Sequence, residues 1–145
     1  MKLFTIGFTG KSAEDFFTLI KKSGAKKLID IRINRNSQLA GFAKERDLEF
    51  LLSELAGISY QVNEELAPTK QMLASYRDKK TNWDQYSEDY QKLIADRSVL
   101  EKLGEKYFED SILLCSENEP DKCHRTLLAI LLKKMVPDLE IIHLT

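Results

Sequence analysis

The chain is poor in the residues that mark several protein classes. It has two cysteines, Cys115 and Cys123, in 145 residues, too few for a disulfide scaffold and easier to read as reduced thiols in a cytoplasmic protein. It has three prolines and six glycines, which excludes a collagen-like or proline-rich chain. No run approaches the roughly 20 apolar residues of a membrane helix. Charge of one sign is also lacking: 22 basic and 23 acidic side chains leave a net charge of −1, so phosphate neutralisation across the whole surface has no support. Met1-Lys2 runs directly into Leu3-Phe4-Thr5-Ile6 without an apolar signal region. The expected compartment is the cytoplasm, with no membrane partner.

What is present suits one domain with a real core, since 43% of the chain is hydrophobic. Five short apolar runs read as strands: 2–6, 26–33, 58–62, 111–115 and 139–144. Helical patterns alternate with them. Ser12 begins the first with Asp15 three positions on, Phe16, Phe17, Leu19 and Ile20 form its apolar face, and Gly24 offers a stop. A second helix covers 44–56 and closes at Gly57. Three more are predicted over 68–79, 82–95 and 98–108, the last two opening on the spacings Thr81-x-x-Asp84 and Ser98-x-x-Glu101. Trp83, Tyr86, Tyr90, Leu93 and Ile94 form a stripe that reads as core. A last helix, 121–135, is apolar through Leu127, Leu128, Ile130, Leu131 and Leu132. The alternation predicts an α/β domain over 1–145 with a mainly parallel sheet of about five strands covered by helices, a Rossmann-like three-layer sandwich. Ligands of such sheets bind beyond the carboxyl ends of the strands.

"TIGFTGKS", residues 5–12, ends like a nucleotide-cradling loop. A P-loop needs Gly-x-x-x-x-Gly-Lys-[Ser/Thr], because its first glycine lets the backbone wrap round the phosphates. Counting back five from Gly10 gives Thr5, and Gly7 lies only three residues before Gly10. A tight turn, a solvated Lys11 and a capping Ser12 are expected instead. The strand-to-helix turn still brings the backbone of Gly7 and Thr9 to the sheet edge, where amides favour an anionic group.

Charges gather at two strand ends. In "LIDIRINRNS", residues 28–37, Asp30 and Arg32 alternate with isoleucines. Opposite charges in mid-strand are expensive unless they pair or line a cavity. Asp30 can orient an arginine or accept from a ligand hydroxyl; Arg32 can grip an anion with its fork of donors. In "LLCSENEPDKCHRTLL", residues 113–128, Cys115, Glu117, Cys123, His124 and Arg125 cluster at one strand-to-helix junction. A helix N-terminus attracts anions and lowers a cysteine's pKa, with Glu117, Glu119 and Asp121 opposing the second effect. Bland readings stand beside these: Cys115 as a core residue, and Arg125 salt-bridged to Asp30.

Together, Thr5-Ile6-Gly7, Asp30-Ile31-Arg32, Ser37, Phe42, Tyr60, Cys115-x-Glu117-x-x-Pro120-x-x-Cys123-His124-Arg125 and His143 resemble the domain-of-unknown-function family 488 along the whole chain. That family commonly has Thr-Ile-Gly-His-Ser, where Phe8-Thr9 stand here, and a proline where Arg35 stands. The resemblance implies the fold and the location of a site. It names no reaction.

The expected function is an enzyme or binding domain for a small anionic molecule, a nucleotide or sugar phosphate. Arg32, Arg125, Gly7, Thr9 and Ser37 would bind the anion, Asp30 or Glu117 would act as base or orienter, and Cys123 or His124, with Cys115 nearby, would be reactive. A metal reading would use Cys115, Cys123, His124 and His143. No Cys-x-x-Cys knuckle supports it, and adjacent helical positions 123 and 124 point about 100° apart, so no metal site is assigned. A nucleic-acid or protein module on Lys70, Arg77, Lys79 and Lys80 is explained more simply by a solvated helix face. No cofactor, reaction type or oligomeric state follows from the residues.

Overall fold

The computed structural model describes residues 1–36, 40–117 and 120–145. Five parallel strands, β1 (Lys2–Gly7), β2 (Lys27–Asp30), β3 (Ser59–Val62), β4 (Ser111–Cys115) and β5 (Glu140–Leu144), form one sheet in the order β3-β2-β4-β1-β5. Side-chain alternation sends Ile112 and Leu114 into one core cluster and Leu113 into the other. Helices cover both faces, in a Rossmann-like three-layer arrangement. Helix α1 (Ala13–Ser23) packs Phe16, Phe17 and Ile20 into the first cluster, and α6 (His124–Met135) packs Leu127, Leu128 and Leu132 into the second.

The connections explain why the site lies where it does. From β2 the chain crosses to β3, on the side away from β4; from β4 it crosses through α6 to β5, beyond β1. Adjacent strands β2 and β4 therefore send their chains away in opposite directions, and their carboxyl ends flank a crevice. On the other side of β4, Gly7 and Cys115, the last residues of β1 and β4, are register partners.

Local chemistry sets the first crossover. The Ser12 side chain accepts from the Asp15 amide (3.1 Å), and Gly24 ends α1 in the left-handed region at φ 75°. Gly10 turns at φ 78°, and the Lys11 amide donates to the Phe8 carbonyl (3.1 Å), which closes a tight turn with no room for a phosphate wrap. Lys11, at the end of that turn, is half-buried.

Several expected boundaries move. Strand β2 stops at Asp30 rather than continuing to residue 33, because the Asp30 carboxylate takes the Arg32 amide (3.1 Å) in a local turn and ends the ladder. Helix α2 (Glu45–Leu51) runs on into a π-helical turn, Leu52–Ala56, before Gly57 at φ 66°. Helix α3 is Lys70–Arg77, capped by Thr69. Helix α4 (Trp83–Arg97) is capped by Asn82, whose side chain accepts from the Gln85 amide (2.8 Å), rather than by Thr81. Ser98 does not cap the next helix: at φ 50° it is a left-handed hinge, and the segment breaks at Gly104 into α5 (Val99–Leu103) and a 3-10 turn, Glu105–Phe108. In the aromatic stripe Tyr86, Tyr90 and Ile94 are buried, and Trp83 and Leu93 half-buried. Ile130 of α6, expected inside, is 47% exposed because it lies off the face that meets the sheet. No helix among the described residues is long and apolar enough to cross a membrane.

Candidate functional site

At the carboxyl edge of β2 and β4 lies a cavity of about 220 Å³, lined in part by Arg32, Tyr86, Glu117, Lys122, Cys123 and His124. Cys115, Ser116, Arg77 and Asp121 also reach it. The two segments singled out from the sequence thus share one concavity. Tyr86, read only as core, also borders it; nothing in its helical spacing distinguishes that role.

Arg32 is the most constrained charge there. Its Nε donates to Asp30 Oδ1 (2.9 Å) and its Nη2 to Oδ2 (2.7 Å), a bidentate pair in which both side chains are buried. Tyr60, beside Leu28 in the β2–β3 register, donates its hydroxyl to the same Oδ2 (2.6 Å). Burial, and the Asp30 carboxylate next to it, push the Tyr60 phenol well above its ordinary range, so it remains a donor. Below the guanidinium lies the Phe8 ring, 5.3 Å from the Arg32 Cζ. Phe8 thus supports Arg32 from the turn after β1. Arg32 Nη1 is buried and has no hydrogen-bond partner among the described residues.

Asp30 therefore pairs with Arg32, two residues on in its own segment, and not with Arg125. Arg125 is fully buried and works at the next strand end. Its Nη1 donates to the Glu117 carbonyl (2.5 Å) and contacts the sulfurs of Cys115 (3.1 Å) and Cys123 (3.6 Å). Gly7 makes that packing possible. A Cβ at Gly7 would overlap the Glu117 carbonyl and stand 2.8 Å from Arg125 Nη1, so Gly7 serves a close approach of backbone and guanidinium. The Thr9 amide is already used, donating to the Ser116 carbonyl (3.1 Å). Glu117 keeps an exposed side chain at the cavity. Ser37 lies outside the described residues.

Cys123 is the N-cap of α6, with extended backbone (φ −133°, ψ 142°), and His124 is the first helical residue. Helical periodicity therefore does not hold positions 123 and 124 apart, and the ligand atoms of Cys115, Cys123 and His124 lie within 4.8 Å of one another. The expectation of two separate reduced thiols is corrected: the loop after β4 returns to the strand end, and Cys115 and Cys123 are joined by a disulfide. In that form the sulfurs offer no thiolate to a metal. Once reduced, the two cysteines and His124 could supply three ligands. His143 is not in this group among the described residues, because β5 pairs with β1 and places His143 beside Thr5, with Thr5 Oγ1 and His143 Nδ1 2.6 Å apart.

His124 Nε2 lies 2.8 Å from the Ile31 carbonyl. A carbonyl can only accept, so Nε2 carries the proton and Nδ1 keeps its lone pair. Burial, aided by the Arg125 charge, lowers the His124 pKa to about 4 against the support of the Ile31 carbonyl. The imidazole is neutral near pH 7. Its ring packs 5.7 Å from that of Tyr90, whose hydroxyl donates to the Leu66 carbonyl (2.7 Å).

No curated protein and no solved structure matches the chain. The sequence profile of the family described as "Domain of unknown function DUF488" matches residues 12–132, and the chain belongs to that family.

Proposed function

We propose that the cavity binds a small anionic molecule, a nucleotide or sugar phosphate, at the carboxyl edge of the sheet. The observation that carries this is the state of Arg32: Asp30 holds two of its guanidinium nitrogens, and Nη1 is buried without a partner among the described residues. A buried donor left unpaired costs about 1–3 kcal/mol. An oxygen of a bound anion would remove that cost. Asp30, Tyr60 and Phe8 hold the guanidinium plane, so the fork is organised before the ligand arrives.

Two further features support the reading. The N-terminus of the 12-residue α6 opens beside the cavity and favours negative charge. Lys122 and Arg77 add cationic groups to the lining, against the carboxylates of Glu117 and Asp121. In a catalytic form of this reading, neutral His124 accepts a proton at Nδ1, and Glu117 is the carboxylate available as base or orienter.

Thermal unfolding with millimolar inorganic phosphate, nucleotides and sugar phosphates tests it. A ligand at one hundred times its Kd should add about 2.7 kcal/mol of stability. Arg32→Lys keeps the charge beside Asp30 and loses the fork, so the ligand-dependent gain should disappear while the variant still unfolds cooperatively. No stabilisation of the wild-type chain by any of these anions would overturn the proposal.

A further inference from the structure

The Cys115–Cys123 disulfide sits where a structural cross-link is least needed. Cys115 is already held in a central strand and Cys123 at the start of a buried helix, eight residues on. Both residues line the cavity, yet they are only 1% and 3% exposed. A reactant can approach this bond through the cavity, and a folded protein cannot. The buried Arg125 places Nη1 against both sulfurs, nearer to Cys115 (3.1 Å) than to Cys123 (3.6 Å). A disulfide is neutral and has little use for a guanidinium. A thiolate released from it has a strong use for one.

We propose that Cys115 and Cys123 are a redox-active pair that oxidises small anionic thiols admitted to the cavity, with Cys123 Sγ the atom attacked. A substrate thiolate bonds to Cys123 Sγ, the bond between the two cysteine sulfurs breaks, and its electron pair leaves with Cys115 as a thiolate beside Arg125. A second substrate thiolate attacks the substrate sulfur of this mixed disulfide. The substrate disulfide departs, and Cys123 leaves as a thiolate that takes a proton from water. Two substrate thiolates have lost one electron each, and the protein disulfide has become one thiolate, Cys115, and one thiol, Cys123. The preference for an anionic thiol rests on the anion-binding reading above; the exchange at Cys123 does not.

The oxidised full-length chain is incubated with 2-mercaptoethanesulfonate (anionic), 2-mercaptoethanol (neutral) or cysteamine (cationic), and alkylation with mass spectrometry counts the new thiols. Each chain should gain two. After correction for the ionisation of each reagent, the anionic thiol should react about tenfold faster than the cationic one. If none of the three opens the disulfide without denaturant, the exchange is overturned, while the phosphate and nucleotide titrations still decide the anion reading. Equal rates for the three charges would leave the exchange standing and overturn the anionic substrate. For the atom attacked, the reaction of the wild-type chain with mercaptoethanesulfonate is quenched in acid at early times and the mixed disulfide is located by peptide mass spectrometry: the adduct should sit on Cys123, and an adduct mainly on Cys115 would overturn the assignment.

Discussion

Asp30 and Arg32 form a buried ion pair across a two-residue turn, with the carboxylate also accepting from the Arg32 amide and the Tyr60 hydroxyl. Each partner owes its tolerance of burial to the other. Asp30→Asn should therefore lower stability by about 3–5 kcal/mol in urea unfolding, and Tyr60→Phe by about 2 kcal/mol. Combining Asp30→Asn with Arg32→Gln should cost less than the sum of the single changes, because the double variant leaves no unpaired charge. A loss below about 1 kcal/mol for Asp30→Asn would show that the pair does not hold this edge.

Gly7 faces a different demand. The obstacle to a side chain here is the Glu117 backbone, which cannot rotate aside as a flexible side-chain end could. Gly7→Ala should lower stability by about 3 kcal/mol and separate Arg125 from the Glu117 carbonyl. Chemical denaturation provides the measurement, and a neutral result would mean that the junction between β1 and β4 yields easily.

Stability should depend on pH through His124. Its folded pKa, about 4, lies below the ordinary 6.5. Between these values the unfolded chain takes up a proton that the folded chain refuses, so stability is full above pH 6.5, falls with falling pH, and levels off below pH 4. The loss from this group is about 3 kcal/mol. His143, also lowered by burial and by Arg125, acts in the same direction. Urea midpoints at pH 7 and pH 4 should differ less in His124→Gln than in the wild type. An unchanged difference would assign the pH dependence elsewhere.

Much of this domain can be read without coordinates because its signals are local. The continuous apolar run of 111–115, the mark of a strand covered on both faces, and the Ser12 and Gly24 signals around α1 depend on residues close together in the chain. Legibility fails where two local signals compete. Thr81 and Asn82 both suit an N-cap, and Ser98 suits either a cap or a hinge, so packing decides between them. Tyr60 illustrates the same limit within the site. In sequence it is one aromatic in a short strand, and only the β2–β3 pairing brings its hydroxyl to Asp30.

The sequence by itself determined the alternating strands and helices, the missing P-loop glycine and the two charged segments at the ends of β2 and β4, since periodicity and spacing carry these. Tertiary structure alone decided the partners. Arg32 took Asp30, Arg125 took the Glu117 carbonyl and the two sulfurs, Gly7 became the gap that admits them, and Cys123 met Cys115. The physical reason is that parallel strands carry their chain ends to one edge from positions more than 100 residues apart, and which side chains meet there depends on strand order and register.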